Sequence, residues 1–198
     1  MAEIMVPYEF DGRQFEGAVV WDDTISDPRP VVFMQPDWFG VCRHTLDMAA
    51  EAAGKGYVML VADMYGVGYG ARDKEFDELL ASAQGARHDL PLVREGGAVA
   101  LTALLEAARE HAPTTDSPLG AIGFCMGGGI VLEQARAGAD FAGTVIFHVT
   151  LPNPVDDAAK PDFKGRVLAI HGRADPVTPK NMMDALETEL TTAEVDWQ

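Results

Sequence analysis

Leu119-Gly120-Ala121-Ile122-Gly123-Phe124-Cys125-Met126-Gly127-Gly128-Gly129 is the stretch on which the reading of this chain turns. The run from Leu119 to Phe124 is apolar without alternation, which suits a strand buried on both faces, and the glycines after it announce a sharp turn into a helix. In the pattern Gly123-x-Cys125-x-Gly127 the cysteine stands at the crest of the turn. Such a nucleophile elbow needs glycines on either side, because backbone passes too closely there for a β-carbon. A helix starting at Met126 would direct its unpaired amides at the sulfur and favour thiolate over thiol. The Met126 amide would then face an oxyanion formed at that place. The same glycines also fit a turn that serves packing alone, with Cys125 as a small buried apolar residue. A dinucleotide fingerprint fits worse, since Gly120, Gly123 and Gly127 do not follow G-x-G-x-x-G.

Outward from the elbow, further continuous apolar runs occur at Val31–Met34, Val58–Ala62, Thr144–Phe147 and Val167–Ile170. Between them lie helical stripes, with Leu46, Ala49, Ala50 and Ala53 at i, i+3, i+4, i+7 and Leu101, Leu104, Leu105 and Ala108 at the same spacing. Another helix is expected at Thr178-Pro179, with Thr178 as cap and Met183, Leu186 and Leu190 as its buried side. The first segment alternates around Asp11-Gly12, a pair suited to a tight hairpin, and Phe15 to Trp21 forms the return strand. Strands alternating with helices imply an α/β fold whose sheet is doubly wound and mostly parallel, with an N-terminal antiparallel hairpin and functional loops at the carboxyl ends of the strands. Tyr65 to Ala71 reads as a long surface loop. With no internal repeat and no linker, residues 1–198 are expected to form a single domain.

Composition narrows the ligand. Thirty-one acidic residues against 15 Lys and Arg give a net charge of −16, which argues against nucleic acid or an anionic membrane as partner and leaves a small molecule. Met1 to Phe10 lacks a basic stretch followed by an apolar one, and no apolar run approaches ~18 residues, so a cytoplasmic protein is expected. Cys42 and Cys125 are the only cysteines. They show neither a disulfide framework nor metal-ligand spacing, so no metal is expected, and Cys42, outside any elbow, reads as inert.

Two more loops carry candidate chemistry. Asp175 follows the Val167–Ile170 strand in His171-Gly172-Arg173-Ala174-Asp175-Pro176, where a carboxylate could hold an imidazole in one tautomer or could simply organise the turn before proline. Gln35-Pro36-Asp37-Trp38-Phe39-Gly40 follows the Val31–Met34 strand. Trp38 could supply a second oxyanion amide, and Asp37 could either influence the Cys125 thiol or face solvent. His148, at the end of the Thr144–Phe147 strand, and Tyr65 are candidate cleft-lining residues. Arg72 could bind a substrate carboxylate, although a solvated loop arginine is the commoner role.

Together these segments resemble the dienelactone hydrolase family of the α/β-hydrolase superfamily. The resemblance rests on Asp37-Trp38-Phe39-Gly40, Ala62-Asp63-Met64-Tyr65-Gly66, Gly123-Phe124-Cys125-Met126-Gly127-Gly128, Ile146-Phe147-His148, and His171-Gly172 through Asp175-Pro176. It implies hydrolysis of small esters or lactones by a Cys-His-Asp triad through a thioester, with no metal or organic cofactor. Cys125 and Asp175 would be triad members, and Asp37 would stand where the family usually has Glu. Two departures follow. Asp37 is one methylene shorter than that Glu and is preceded by Pro36. The family's catalytic His comes after the acid loop, and no histidine follows Asp175 here; Val195-Asp196-Trp197-Gln198 resembles the start of the last strand. The expectation is therefore a chain lacking that strand and the terminal helix, with self-association through the incomplete sheet edge. A non-catalytic binding or scaffold protein on the same fold is the alternative.

Overall fold

Asp11 and Gly12 both adopt left-handed φ, 49° and 70°, as a two-residue hairpin turn requires. They fold β1 (Ala2–Phe10) back on β2 (Arg13–Trp21) in antiparallel register, Phe10 opposite Arg13. The computed structural model describes residues 1–149 and 161–198. Beyond the hairpin come β3 (Val31–Gln35), β4 (Val58–Val61), β5 (Leu119–Phe124), β6 (Phe141–Phe147) and β7 (Arg166–Ile170). The seven strands form one sheet in the order β1-β2-β4-β3-β5-β6-β7, antiparallel through β2–β4 and parallel from β4 onward. Trp197 bridges Val167 in parallel, with Gln198 donating to Val167 and Ala169 donating to Gln198, so the last residues run alongside β7.

Side chains alternate between the two faces of this sheet, and each face has its own helices. Phe33, Val19 and Leu60 join one core with Ala100, Leu104 and Ala108 of α3 (Gly97–His111), Ile130 and Leu132 of α4 (Met126–Arg136), and Leu186 and Leu190 of α5 (Lys180–Thr192). Their sequence neighbours Met34, Val20 and Met59 join the opposite core with Leu46, Ala49 and Ala53 of α1 (Arg43–Ala53). This is the doubly wound arrangement expected from the apolar runs. No helix among the described residues is long and apolar enough to cross a membrane.

One local expectation is corrected. Thr178 does not cap α5; Pro179 occupies that position, and the Thr178 hydroxyl is spent on the carbonyl of Val149. The loop after Tyr65 runs into a short 3₁₀ turn at Ala71–Asp73 and then α2 (Phe76–His88). Leu79, Ala83 and Ala86 are its buried residues, a stripe too thin in large apolar side chains to stand out by periodicity. A π turn at Leu92–Gly96 precedes α3. Beside it, Glu133 bonds Arg94 at 2.6 Å and also Arg136, and Arg136 reaches Glu189 at 2.7 Å, closing a buried ionic network on the side chains of α4.

Candidate active site

Cys125 sits between β5 and α4 with φ +53° and ψ −116°, a backbone conformation that L residues rarely adopt. Close packing enforces it. A β-carbon on Gly123 would lie 2.2 Å from the carbonyl oxygen of Gly127, and one on Gly127 would lie 2.1 Å from the oxygen of Pro36 and 2.3 Å from that of Gln35. The elbow is thus wedged against the end of β3, and both glycines are needed for the reason anticipated from sequence. The Cys125 amide donates to Phe147 at 2.9 Å, which ties the crest to the end of β6.

The electrostatics differ from the expectation of a thiolate favoured by the helix start. Burial pushes the Cys125 thiol up; the Met126 amide, bonded to the sulfur, opposes this, while Asp37 and Asp175 reinforce it and Arg87 opposes it. The net direction is upward, because one amide does not compensate the lost hydration of a buried anion. The protonated thiol is therefore the favoured form.

Asp175 lies in the loop after β7. Its Oδ1 accepts from the Val177 amide at 2.8 Å, so it does organise the turn, and its Oδ2 is bonded to Nδ1 of His148. Asp175 thus organises its turn and also bonds an imidazole that precedes it in the chain. Burial pushes its carboxyl up, but the Val177 amide, His148 and the Thr178 amide outweigh this and hold it below the ordinary value. An ionised carboxylate accepts, so the His148 proton is on Nδ1 and Nε2 is its basic edge. The His148 side chain is 49% exposed while that of Asp175 is only 6% exposed, an exposed imidazole held by a buried carboxylate. His148 also has a left-handed φ, +48°, and immediately follows Phe147, the partner of Phe124 across the β5–β6 pair. Cys125 and His148 are therefore the next residues out on adjacent strands.

Asp37 accepts from the Phe39 amide at 2.9 Å, which makes it a turn organiser that also acts on the sulfur through space. Trp38 follows it in the loop against which Gly127 packs. The Tyr65 hydroxyl donates to the Trp38 carbonyl at 3.1 Å and lies 3.2 Å from Sδ of Met126, bridging the two loops that carry the candidate oxyanion amides. Burial raises its phenol pKa, so it remains a neutral donor. The side chain of Arg72 lies outside the described residues. His171 bonds the Thr178 carbonyl at 3.0 Å and belongs to the acid loop's scaffold. Among the described residues no group of three or more His, Cys, Asp or Glu is arranged to hold a metal ion.

Residues 15–198 match the family described as "Dienelactone hydrolase family". The chain belongs to the dienelactone hydrolase family. A solved structure named m3DLH is 33% identical with a TM-score of 0.86 over all of this chain and 79% of its own. A dienelactone hydrolase-like promiscuous phosphotriesterase from metagenomic libraries is 32% identical with a TM-score of 0.83, at the same coverage. A Methylorubrum extorquens protein named "Putative carboxymethylenebutenolidase" is 28% identical over 170 residues, 81% of this chain and 56% of that protein. The chain thus spans little more than half the length of that relative.

Two features of this dienelactone hydrolase family site were missed by sequence reasoning. His148 was placed at the cleft but not on Asp175; the available signal was its position one residue past a central strand, next in line to the elbow. Arg87, on α2, is close enough to Cys125 for each to affect the other's ionisation, and nothing in its sequence context marked it.

Proposed function

We propose that this chain hydrolyses small esters or lactones by acyl transfer through a thioester on Cys125, with His148 carrying the protons and Asp175 orienting it. The observation that carries the reading is the His148–Asp175 bond standing beside a strained, glycine-walled cysteine at one end of the sheet. As the sulfur attacks the carbonyl carbon, the thiol proton passes to Nε2 of His148 and the carbonyl oxygen becomes an oxyanion facing the Met126 and Trp38 amides. Collapse breaks the ester C–O bond, and His148 returns the proton to the leaving alkoxide. Water then attacks the thioester, giving one proton to His148; the C–S bond breaks, the acid is released and the sulfur is reprotonated. With a lactone the leaving hydroxyl stays on the same product. Asp175 stabilises the imidazolium formed in each half.

The test is p-nitrophenyl acetate turnover with intact-mass trapping of the enzyme. The expected result is an acetyl adduct mapped to Cys125, released by hydroxylamine, and loss of turnover in Cys125→Ala. Unchanged turnover in Cys125→Ala would sink the reading; a folded chain with neither turnover nor adduct would favour the non-catalytic scaffold.

A further inference from the structure

Helix α2 reaches the elbow region from both ends of one stripe. Phe76, Leu80 and Arg87 recur at the i, i+4, i+11 spacing of a single helix face. At one end the Phe76 ring meets the Trp38 ring edge-on, with centroids 5.5 Å apart and planes at 83°. Trp38 is fixed in turn to the elbow, because the Tyr65 hydroxyl bonds its carbonyl and touches Sδ of Met126, the residue after Cys125. At the other end of the stripe stands Arg87, within electrostatic reach of Cys125.

Phe76 is 62% exposed and Leu80 38%, and neither belongs to either core cluster. Large apolar side chains left exposed beside the elbow mark a place for an apolar ligand more than a packing need. Charge points the same way. Among the described residues Asp37 and Asp175 act on the sulfur against Arg87, whose Nη2 already lies 3.0 Å from Nε2 of His88. A whole-chain charge of −16 disfavours the approach of an anionic substrate.

We propose that Trp38, Phe76 and Leu80 form an apolar shelf that seats the alkyl or aryl part of an uncharged ester, so that the enzyme selects neutral apolar esters over small anionic ones. The selectivity rests on the hydrolase reading above; the shelf itself does not need turnover to be seen. A methylene laid on an open shelf leaves water on one side, which is worth about a factor of two.

The experiment compares p-nitrophenyl acetate, butyrate and hexanoate with the mono-p-nitrophenyl ester of adipic acid, which matches hexanoate in length but ends in a carboxylate. The expected kcat/KM rises about ten-fold from acetate to hexanoate and falls at least about ten-fold again for the adipate ester. Phe76→Ala, a change at an exposed position, flattens the series to below about three-fold, and Phe76→Leu restores most of the slope. A slope unchanged in Phe76→Ala, or an adipate ester as good as hexanoate, overturns the shelf. The second readout is alkylation by N-ethylmaleimide and N-hexylmaleimide, mapped by mass spectrometry, with Cys42 as internal reference. The hexyl reagent is expected to gain about ten-fold at Cys125 relative to Cys42, and to lose that gain in Phe76→Ala. If esters are not cleaved yet the hexyl preference persists, the hydrolase reading falls and the shelf stands. If esters are cleaved through Cys125 with no chain-length preference, the shelf falls and the hydrolase reading stands.

Discussion

Nδ1 of His148 is bonded to Oδ2 of Asp175 although the two residues are 27 positions apart and the histidine comes first in the chain. They meet because β6 and β7 are parallel neighbours, Phe147 opposite Ile170, and each residue lies beyond the carboxyl end of its strand. The His148 amide donates to Ile170 at 3.0 Å, which sets the imidazole over the acid loop. A carboxylate held ionised by its turn amides and His148 then fixes one tautomer, with the proton on Nδ1.

Asp175→Asn tests that relationship. An amide can donate where the carboxylate accepted, so the imidazole turns to the wrong tautomer while the Val177 turn bond is kept. The expected loss in kcat is about 10³- to 10⁴-fold, with a urea midpoint close to wild type. An active Asp175→Asn would remove this residue from proton transfer.

The ionisation of Cys125 is open to direct measurement. Its thiol pKa is raised, so the folded state keeps the proton to higher pH than the unfolded chain does; its contribution to stability is full below the unfolded-state pKa and is lost as pH rises through the folded one. Iodoacetamide alkylation of Cys125 should therefore reach its half-maximal rate above the pH of an ordinary cysteine. Asp37→Asn, which removes a charge opposing the thiolate, moves that midpoint down, and Arg87→Gln, which removes one favouring it, moves it up. Movement in the opposite sense in either variant would contradict the assigned field.

Gly127→Ala probes the wedge under the elbow. Its β-carbon would meet backbone oxygens of Pro36 and Gln35 at 2.1 and 2.3 Å, contacts that no rotamer change relieves. A destabilisation of about 3 kcal/mol is expected, together with loss of turnover because Cys125 and the Trp38 loop move apart. Denaturant unfolding and ester assay on the same preparation check both halves.

Glu133→Gln should separate stability from chemistry. Glu133 and Arg136 are 5% and 6% exposed, so neutralising the acid leaves a buried guanidinium with Glu189 alone. The expected cost is about 3 kcal/mol, seen as a lower urea midpoint. Turnover below the transition stays near wild type, since the pair sits on α4 side chains away from the elbow at its start.

The sequence by itself determined the layered sheet and the elbow. Continuous apolar runs can be satisfied only by strands covered on both faces, and Gly123-x-Cys125-x-Gly127 can be satisfied only where backbone crosses backbone; both are local requirements written in residue type. Helix α2 was not legible, because its buried side consists of Leu79 and two alanines and its large apolar residues, Phe76 and Leu80, stay exposed outside the core. Asp175 and Asp37 were each placed correctly in a loop, yet their two readings could not be separated from sequence: the same carboxylate that accepts a turn amide can also act on a neighbour brought to it by the fold. Only the tertiary structure decided which imidazole Asp175 holds, that Arg87 faces the sulfur, and that burial leaves Cys125 a thiol. Those outcomes depend on strand order and on how much water each group loses, and both are set by residues far apart in the chain.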